Sequence, residues 1–386
     1  MTNSNPFVLF RDDTTGQCTI FSEPEEIIAV RSRADFFPAL ERMEAAQKAG
    51  KWLAGALSYE AGHLFEEKLQ GFAVDGRETP YLQFGVFSMP AEEGHPLSRP
   101  VQRVENEPLL DSPRAVWDFD TYRARFEKLH WHLRNGDAYQ CNLTMPIEAR
   151  WKGDPRAAFW SLIDRQPVKY GALVNLDGPV VLSRSPELFF KVDRDGWIET
   201  HPMKGTAKRG RDAVEDASIV QGMKDDIKTQ AENRMIVDLL RNDISRITEV
   251  GTLSVPKLFD VETYPTVHQM VSHVRAKLLP KTTLTDIFAA LFPCGSITGA
   301  PKMSAMSILH ALEAGPRDIY CGAIGFIDPA GAMRFSVAIR TISLFDDGRA
   351  VFNVGGGIVF DSVAEAEYEE CLLKARFAVG DQRIER

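Results

Sequence analysis

The order in which strand-like and helical segments follow one another constrains this chain more than any single motif. Four short runs with strand character succeed one another at residues 170 to 174, 180 to 183, 189 to 192 and 197 to 200. From 320 to 360 the pattern is again strand and turn, with turns at Asp328-Pro329-Ala330-Gly331 and Asp346-Asp347-Gly348. Helical patterns separate these blocks instead of alternating with single strands. Such blocks predict an α+β architecture, with large antiparallel sheets and helices outside them.

The flanking segments agree. Residues 7 to 10 and 18 to 21 read as strands around a turn, and so do 52 to 59 and 81 to 88. Helical spacing marks residues 35 to 50, 120 to 136, 154 to 165, 213 to 244, 284 to 292 and 303 to 314, with a last helix from about 364 to 379. Residues 138 to 144 alternate as a strand does, and 250 to 271 has strand character throughout. Five prolines between 90 and 113 read as a loop or linker, the alternative being an edge strand pairing across it. The chain divides on this reading into a divergent N-terminal region, 1–115, that contributes to a shared sheet, and a catalytic region, 116–386.

With 386 residues, one large core or two intertwined cores are expected. A net charge of -9 argues against nucleic acid and against an anionic membrane as partners. The five cysteines, Cys18, Cys141, Cys294, Cys321 and Cys371, lie far apart with no CxxC pair, which fits a reducing compartment. With no secretory leader pattern at the start and no long apolar run, the expectation is a soluble cytoplasmic protein.

Several stretches carry residue types suited to binding a small anion. Lys204 lies in Thr200-His201-Pro202-Met203-Lys204-Gly205-Thr206, where Pro202 restrains the backbone and Gly205 permits close approach; the alternative is a solvated lysine in a strand-to-loop turn. Glu367, Glu370 and Lys374 share one face of the last helix, an arrangement that offers carboxylates to a hard cation and also describes a solvated face. Glu232 joins them if its helix faces theirs. The stretch 292 to 302, containing Ser296, leads into a helix with Pro301 near its first position, where free amides would face an anion. Gly355, Gly356 and Gly357 either expose backbone N–H groups at a strand end or form a bend. Arg340 interrupts a strand-like run, as a carboxylate-gripping guanidinium would, or else points outward from its strand. His268 and Tyr320 lie among apolar neighbours and fit a core equally well. No Gly-x-Cys-x-Gly elbow surrounds any cysteine, so the chain offers no glutaminase nucleophile of its own.

Taken together, Ser185-Pro186-Glu187, Pro202-Met203-Lys204-Gly205-Thr206, Asp238-Leu239-Leu240-Arg241-Asn242-Asp243, the stretch from Gly295 to Lys302, Ala338-Ile339-Arg340-Thr341 and the acidic run from Asp361 to Glu370 resemble the chorismate-using enzymes over about residues 118 to 378. That family includes anthranilate, aminodeoxychorismate, isochorismate and salicylate synthases. The resemblance implies their fold, antiparallel sheets packed as a sandwich. Within the family, lysine at position 204 resembles the aminodeoxychorismate synthase branch, whereas anthranilate synthases carry alanine there. By resemblance, Mg²⁺ would be held by Glu232, Glu370 and Glu367. Lys204, Glu187 and His268 would be catalytic, and Ser296, Tyr320, Arg340, Gly355, Gly356, Gly357 and Lys374 would bind substrate. Chorismate, ammonia, a separate glutamine amidotransferase subunit and a downstream lyase are the implied partners. Many relatives place a carboxylate where this chain has Thr229, which implies an extra water on the metal. The rival readings are an anthranilate synthase, an isochorismate synthase and a non-catalytic scaffold that activates a glutaminase.

Overall fold

Apolar alternation closes the strand blocks into two antiparallel sheets, which the computed structural model describes over residues 5–101, 109–264, 267–313 and 315–385. The first sheet has nine strands; its longest ladder joins Gln140–Arg150 to Arg349–Ile358. The second has ten, with Met203–Lys208 at one edge beside Val267–Lys277. Between the sheets, Val8, Phe10, Phe21, Ala172, Val174 and Val181 of the first meet Ala54, Ala56, Phe87 and Ile324 of the second. That contact makes a sandwich, because each sheet buries one face against the other. The outer face of the first sheet is covered by Phe119–Arg134, Pro155–Arg165, Lys302–Leu312 and Ala364–Val379. Phe36–Lys48, Ile227–Ser245 and Leu284–Leu291 cover that of the second.

Residues before 115 do not stand apart from the rest. Phe7–Asp12 and Gln17–Ser22 extend the first sheet, and Glu26–Val30, Trp52–Leu57 and Leu82–Phe87 the second. Asp111–Ala115, at the end of the proline-rich stretch, pairs with the edge of the first sheet, and residues 102–108 of that stretch lie outside the described residues.

Three local expectations change. The helix expected over 213 to 244 is two helices, Ala213–Asp225 and Ile227–Ser245. Asp226 leaves helical geometry (φ -73°, ψ 104°), and its carboxylate caps the second helix by accepting from the Thr229 amide. The strand expected over 250 to 271 is a hairpin, Ser254–Thr263 paired with Val267–Lys277; residues 265–266 lie outside the described residues. Lys204 lies on a strand and not in a turn. The ladder of Met203–Lys208 slips register between Met203 and Thr206, and Gly205 takes φ +93°. A bulge of this kind re-aims the side chain it carries.

Candidate active site

Two adjacent crossings of the chain between the sheets build the centre of the site. Val180–Ser185 belongs to the first sheet and Leu188–Val192 to the second, so Glu187 sits on the crossing. Met333–Val337 and Thr341–Leu344 make the reverse crossing, with Arg340 on it at φ +52°. The crossings hold each other: the Arg184 amide donates to the Arg340 carbonyl at 2.9 Å, and the Val337 amide to the Glu187 carbonyl at 3.1 Å. A non-glycine residue in the left-handed region is uncommon, and here the paired crossings impose it.

Glu187 is buried and accepts a 2.7 Å hydrogen bond from the Ser296 hydroxyl, which the short turn Gly295–Ile297 presents. Burial pushes the Glu187 carboxyl up to about 7 against the lowering effects of Ser296, Lys204 and Arg340. Near neutrality the group therefore exchanges a proton readily. Burial also lowers Arg340, to about 10, which leaves it cationic at pH 7. Tyr320 is buried, and burial raises its hydroxyl well above the usual value, so it remains a phenol.

Lys204, partly buried, reaches from the second sheet toward the glycine run of the first: its Nζ lies 3.1 Å from where a Cβ on Gly357 would stand. Burial lowers its pKa, Glu232 opposes this, and the Lys374 ammonium adds to the lowering. The three glycines lie at the end of the strand Arg349–Ile358 and make no bend, because Gly355, Gly356 and Gly357 stay in unbroken register with Thr144, Leu143 and Asn142. Lys374 Nζ donates to the Gly355 carbonyl at 2.8 Å, which shows that this residue's polar groups face away from the ladder. Alternation turns Gly357 the same way and Gly356 into the ladder, so two of the three amides face the site.

The acidic side chains gather on the same rim. Glu367 accepts from Ser362 at 2.7 Å, and its Oε2 is 2.9 Å from the Cβ position of Gly356. Burial first, and Glu370 further, raise the Glu367 pKa. Glu370 pairs with Lys374 at 2.7 Å. Glu232 enters through its charge on Lys204. Among the described residues, no three His, Cys, Asp or Glu side chains close into a group that could hold a metal. Even so, all-oxygen donors are the type that Mg²⁺ takes, and the like charge of Glu370 that raises Glu367 is what a dication relieves.

Three more residues singled out in the sequence are held by local contacts. His268 is buried, and both ring nitrogens are engaged, one with Thr263 and the other with Asp216, each at 3.0 Å. It therefore ties the helix Ala213–Asp225 to the strand beside Lys204. Pro301 caps its helix, next to the first helical residue as its sequence position implies. Thr229 is spent locally on Asp226.

Gln140 was missed. It is buried, its amide has no hydrogen-bond partner among the described residues, and its Nε2 lies 3.0 Å from the Cβ position of Gly357. The available signal was Gln140, Asn142 and Thr144, three polar residues in alternation on one face at the start of a strand.

A carboxyl titrating near neutrality, an amine lowered by burial, a guanidinium and site-facing amides thus share one centre, with groups of the kind that bind a small carboxylate. The chain belongs to the chorismate-binding enzymes, whose family model matches residues 5–380. It is 43% identical over 262 residues to aminodeoxychorismate synthase component 1 of Klebsiella aerogenes, covering 68% of this chain and 58% of that protein. Its identity to the Escherichia coli protein of the same name is 41% over 251 residues, covering 65% and 55% respectively. The match thus spans little more than half the length of these relatives. It is also 33% identical over 343 residues to anthranilate synthase component 1 of Methanothermobacter marburgensis, covering 84% of this chain and 73% of that one. Among solved structures it resembles anthranilate synthase component I of Streptococcus pneumoniae, with TM-score 0.76, 26% identity, and coverage of 97% of this chain and 90% of that one.

Proposed function

We propose that this chain replaces the C4 hydroxyl of chorismate with ammonia, giving 4-amino-4-deoxychorismate for 4-aminobenzoate and folate synthesis in the cytoplasm. A separate glutamine amidotransferase subunit supplies the ammonia, and a lyase acts on the product. The observation that carries this reading is the placement of Lys204, a burial-lowered amine aimed by a bulge at Gly357, in a centre that also holds Glu187.

Lys204 as the free amine adds to C2 of the ring. The double bonds shift, the C4–O bond breaks, and the oxygen leaves as water with a proton from Glu187. Ammonia then adds at C4, the double bonds shift back, and the C2–N bond to Lys204 breaks. Arg340 and the site-facing amides of Gly355 and Gly357 hold the substrate carboxylates, and Ser296 orients Glu187. Glu232, Glu367 and Glu370 would hold Mg²⁺, which when bound neutralises the ring carboxylate and draws electron density from the diene.

The test is incubation of the purified chain with chorismate, Mg²⁺ and ammonium, followed by mass identification of products. A product converted to 4-aminobenzoate only after a lyase is added supports the reading. Pyruvate together with fluorescent anthranilate overturns it in favour of an anthranilate synthase, the name that the Methanothermobacter relative carries.

A further inference from the structure

The strand Gln140–Arg150 pairs with the glycine run along one side, and on the other it is joined by Gly299–Ala300 only as far as Cys141. Beyond that point an ion pair does the work of a neighbouring strand. The Asn142 amide still donates to the Thr298 carbonyl at 2.9 Å, but the Asn142 carbonyl accepts from Arg317 Nη2 at 2.7 Å and the Thr144 amide donates to Glu313 Oε1 at 3.0 Å. The Glu313 carboxylate takes the guanidinium at both oxygens, 2.8 and 2.7 Å, and the two side chains are 8% and 1% exposed. Arg317 Nη1 is left to donate to the Ile297 carbonyl at 3.1 Å, in the turn that presents Ser296 to Glu187. Its own backbone amide is held by Glu60 at 2.6 Å. One buried guanidinium therefore grips the residue after Ser296 and the residue opposite Gly357, two strips of the site that lie far apart in the chain.

We propose that Arg317 is a positioning residue for amination: by holding the Ile297 and Asn142 carbonyls on one rigid fork, it fixes the Ser296 hydroxyl against Glu187, in step with the strand that backs the glycine run. This rests on the amination reading. Lysine cannot take its place, because an ammonium on a flexible stem lacks the planar fork that reaches Glu313 and both carbonyls at once. Burial works against the charge of Arg317, and Glu313 outweighs it and holds the guanidinium well above its usual range, so Arg317 stays cationic while Glu187 titrates.

The test reads the pH at which Glu187 loses its proton, by infrared difference titration of the carboxyl band, with Glu187→Gln assigning that band. The other groups that face Glu187, namely Lys204, Arg340 and the Cys294 thiol, stay in place. The Ser296 hydrogen bond favours the ionised carboxylate, so loosening it in Arg317→Lys should raise the Glu187 pKa by about half a unit or more and carry the alkaline limb of the kcat profile upward with it. The plateau kcat should fall by about tenfold. In a Ser296→Ala background the same substitution should move the titration no further, because the two residues act through one contact. A titration unchanged in Arg317→Lys, whatever its melting temperature, marks an ion pair that serves stability alone and overturns the proposal. A shift that adds in full to that of Ser296→Ala overturns it too. Should Arg317→Lys not fold, Glu313→Gln, which keeps the guanidinium but removes the charge that orients it, is titrated instead, with the same upward shift expected and an unchanged titration counting against. A parent chain whose Glu187 titrates as described but which forms no aminated product from chorismate and ammonium fails at the amination reading, a distinct result.

Discussion

Lys204 of one sheet and Gly357 of the other meet across the sandwich, the lysine Nζ 3.1 Å from where a Cβ on the glycine would be. The side chain that Gly357 lacks is what lets the amine and the Gln140 amide share that space. Gly357→Ala should therefore displace both side-chain ends by a few tenths of an ångström. Because both are flexible ends, stability should hardly change, while kcat for amination should fall by about tenfold or more, since misplacing a reacting group is costly. Steady-state kinetics beside a thermal melt reads both.

Replacing Lys204 by alanine removes the proposed nucleophile without touching the core. Amination at C4 should fall by at least ~10²-fold with chorismate binding retained. An unchanged rate would exclude covalent participation of this residue.

The pH profile tests Glu187. Its pKa rises from 4.5 to about 7, so the folded chain keeps a proton that the unfolded chain releases. Between those values the free energy of unfolding should fall as pH rises, because the native state binds more protons there. Activity should decline as pH rises through about 7, where the acid form is lost. Glu187→Gln should abolish that alkaline limb and lower the rate by roughly 10²–10⁴-fold.

Arg184 and Asp13 form a buried ion pair behind the crossing that carries Glu187, 0% and 3% exposed, with Asp13 also accepting from the Val168 amide at 2.7 Å. Asp13→Ala strands a buried guanidinium and should cost about 3–5 kcal/mol of stability in denaturant titration. Replacing the pair together, Asp13→Leu with Arg184→Met, should cost less. Equal losses would show that charge burial is not the cause.

The proposed Mg²⁺ site at the carboxylate rim is tested by metal removal. A chelator should stop amination, Mg²⁺ should restore it, and Glu367→Gln should raise the Mg²⁺ concentration needed for half-maximal activity by about tenfold or more.

Much of the fold was legible because burial imposes a period on the residues. The last helix, Ala364–Val379, and the strand blocks follow directly from apolar spacing. The break at Asp226 was harder, since the apolar face continues across it and only the capping carboxylate marks the boundary. Legibility was similarly uneven in the site. Glu187, Lys204, Arg340 and the glycine run stand out as misfits in their own segments. Gln140 does not, because glutamine in a strand is ordinary until its buried amide proves to have no partner.

The amino-acid sequence by itself determined the elements, the order of the blocks and most of the reactive side chains, because these depend on spacing along one chain. Only the tertiary structure decided which of them meet. Glu187 and Arg340 come together because two crossings between sheets lie side by side, and Lys204 faces Gly357 because a one-residue bulge turns it inward. His268 meets Asp216 because the helix Ala213–Asp225 packs beside its strand. Contacts between residues so distant along the chain depend on how the sheets stack, and no local period encodes that.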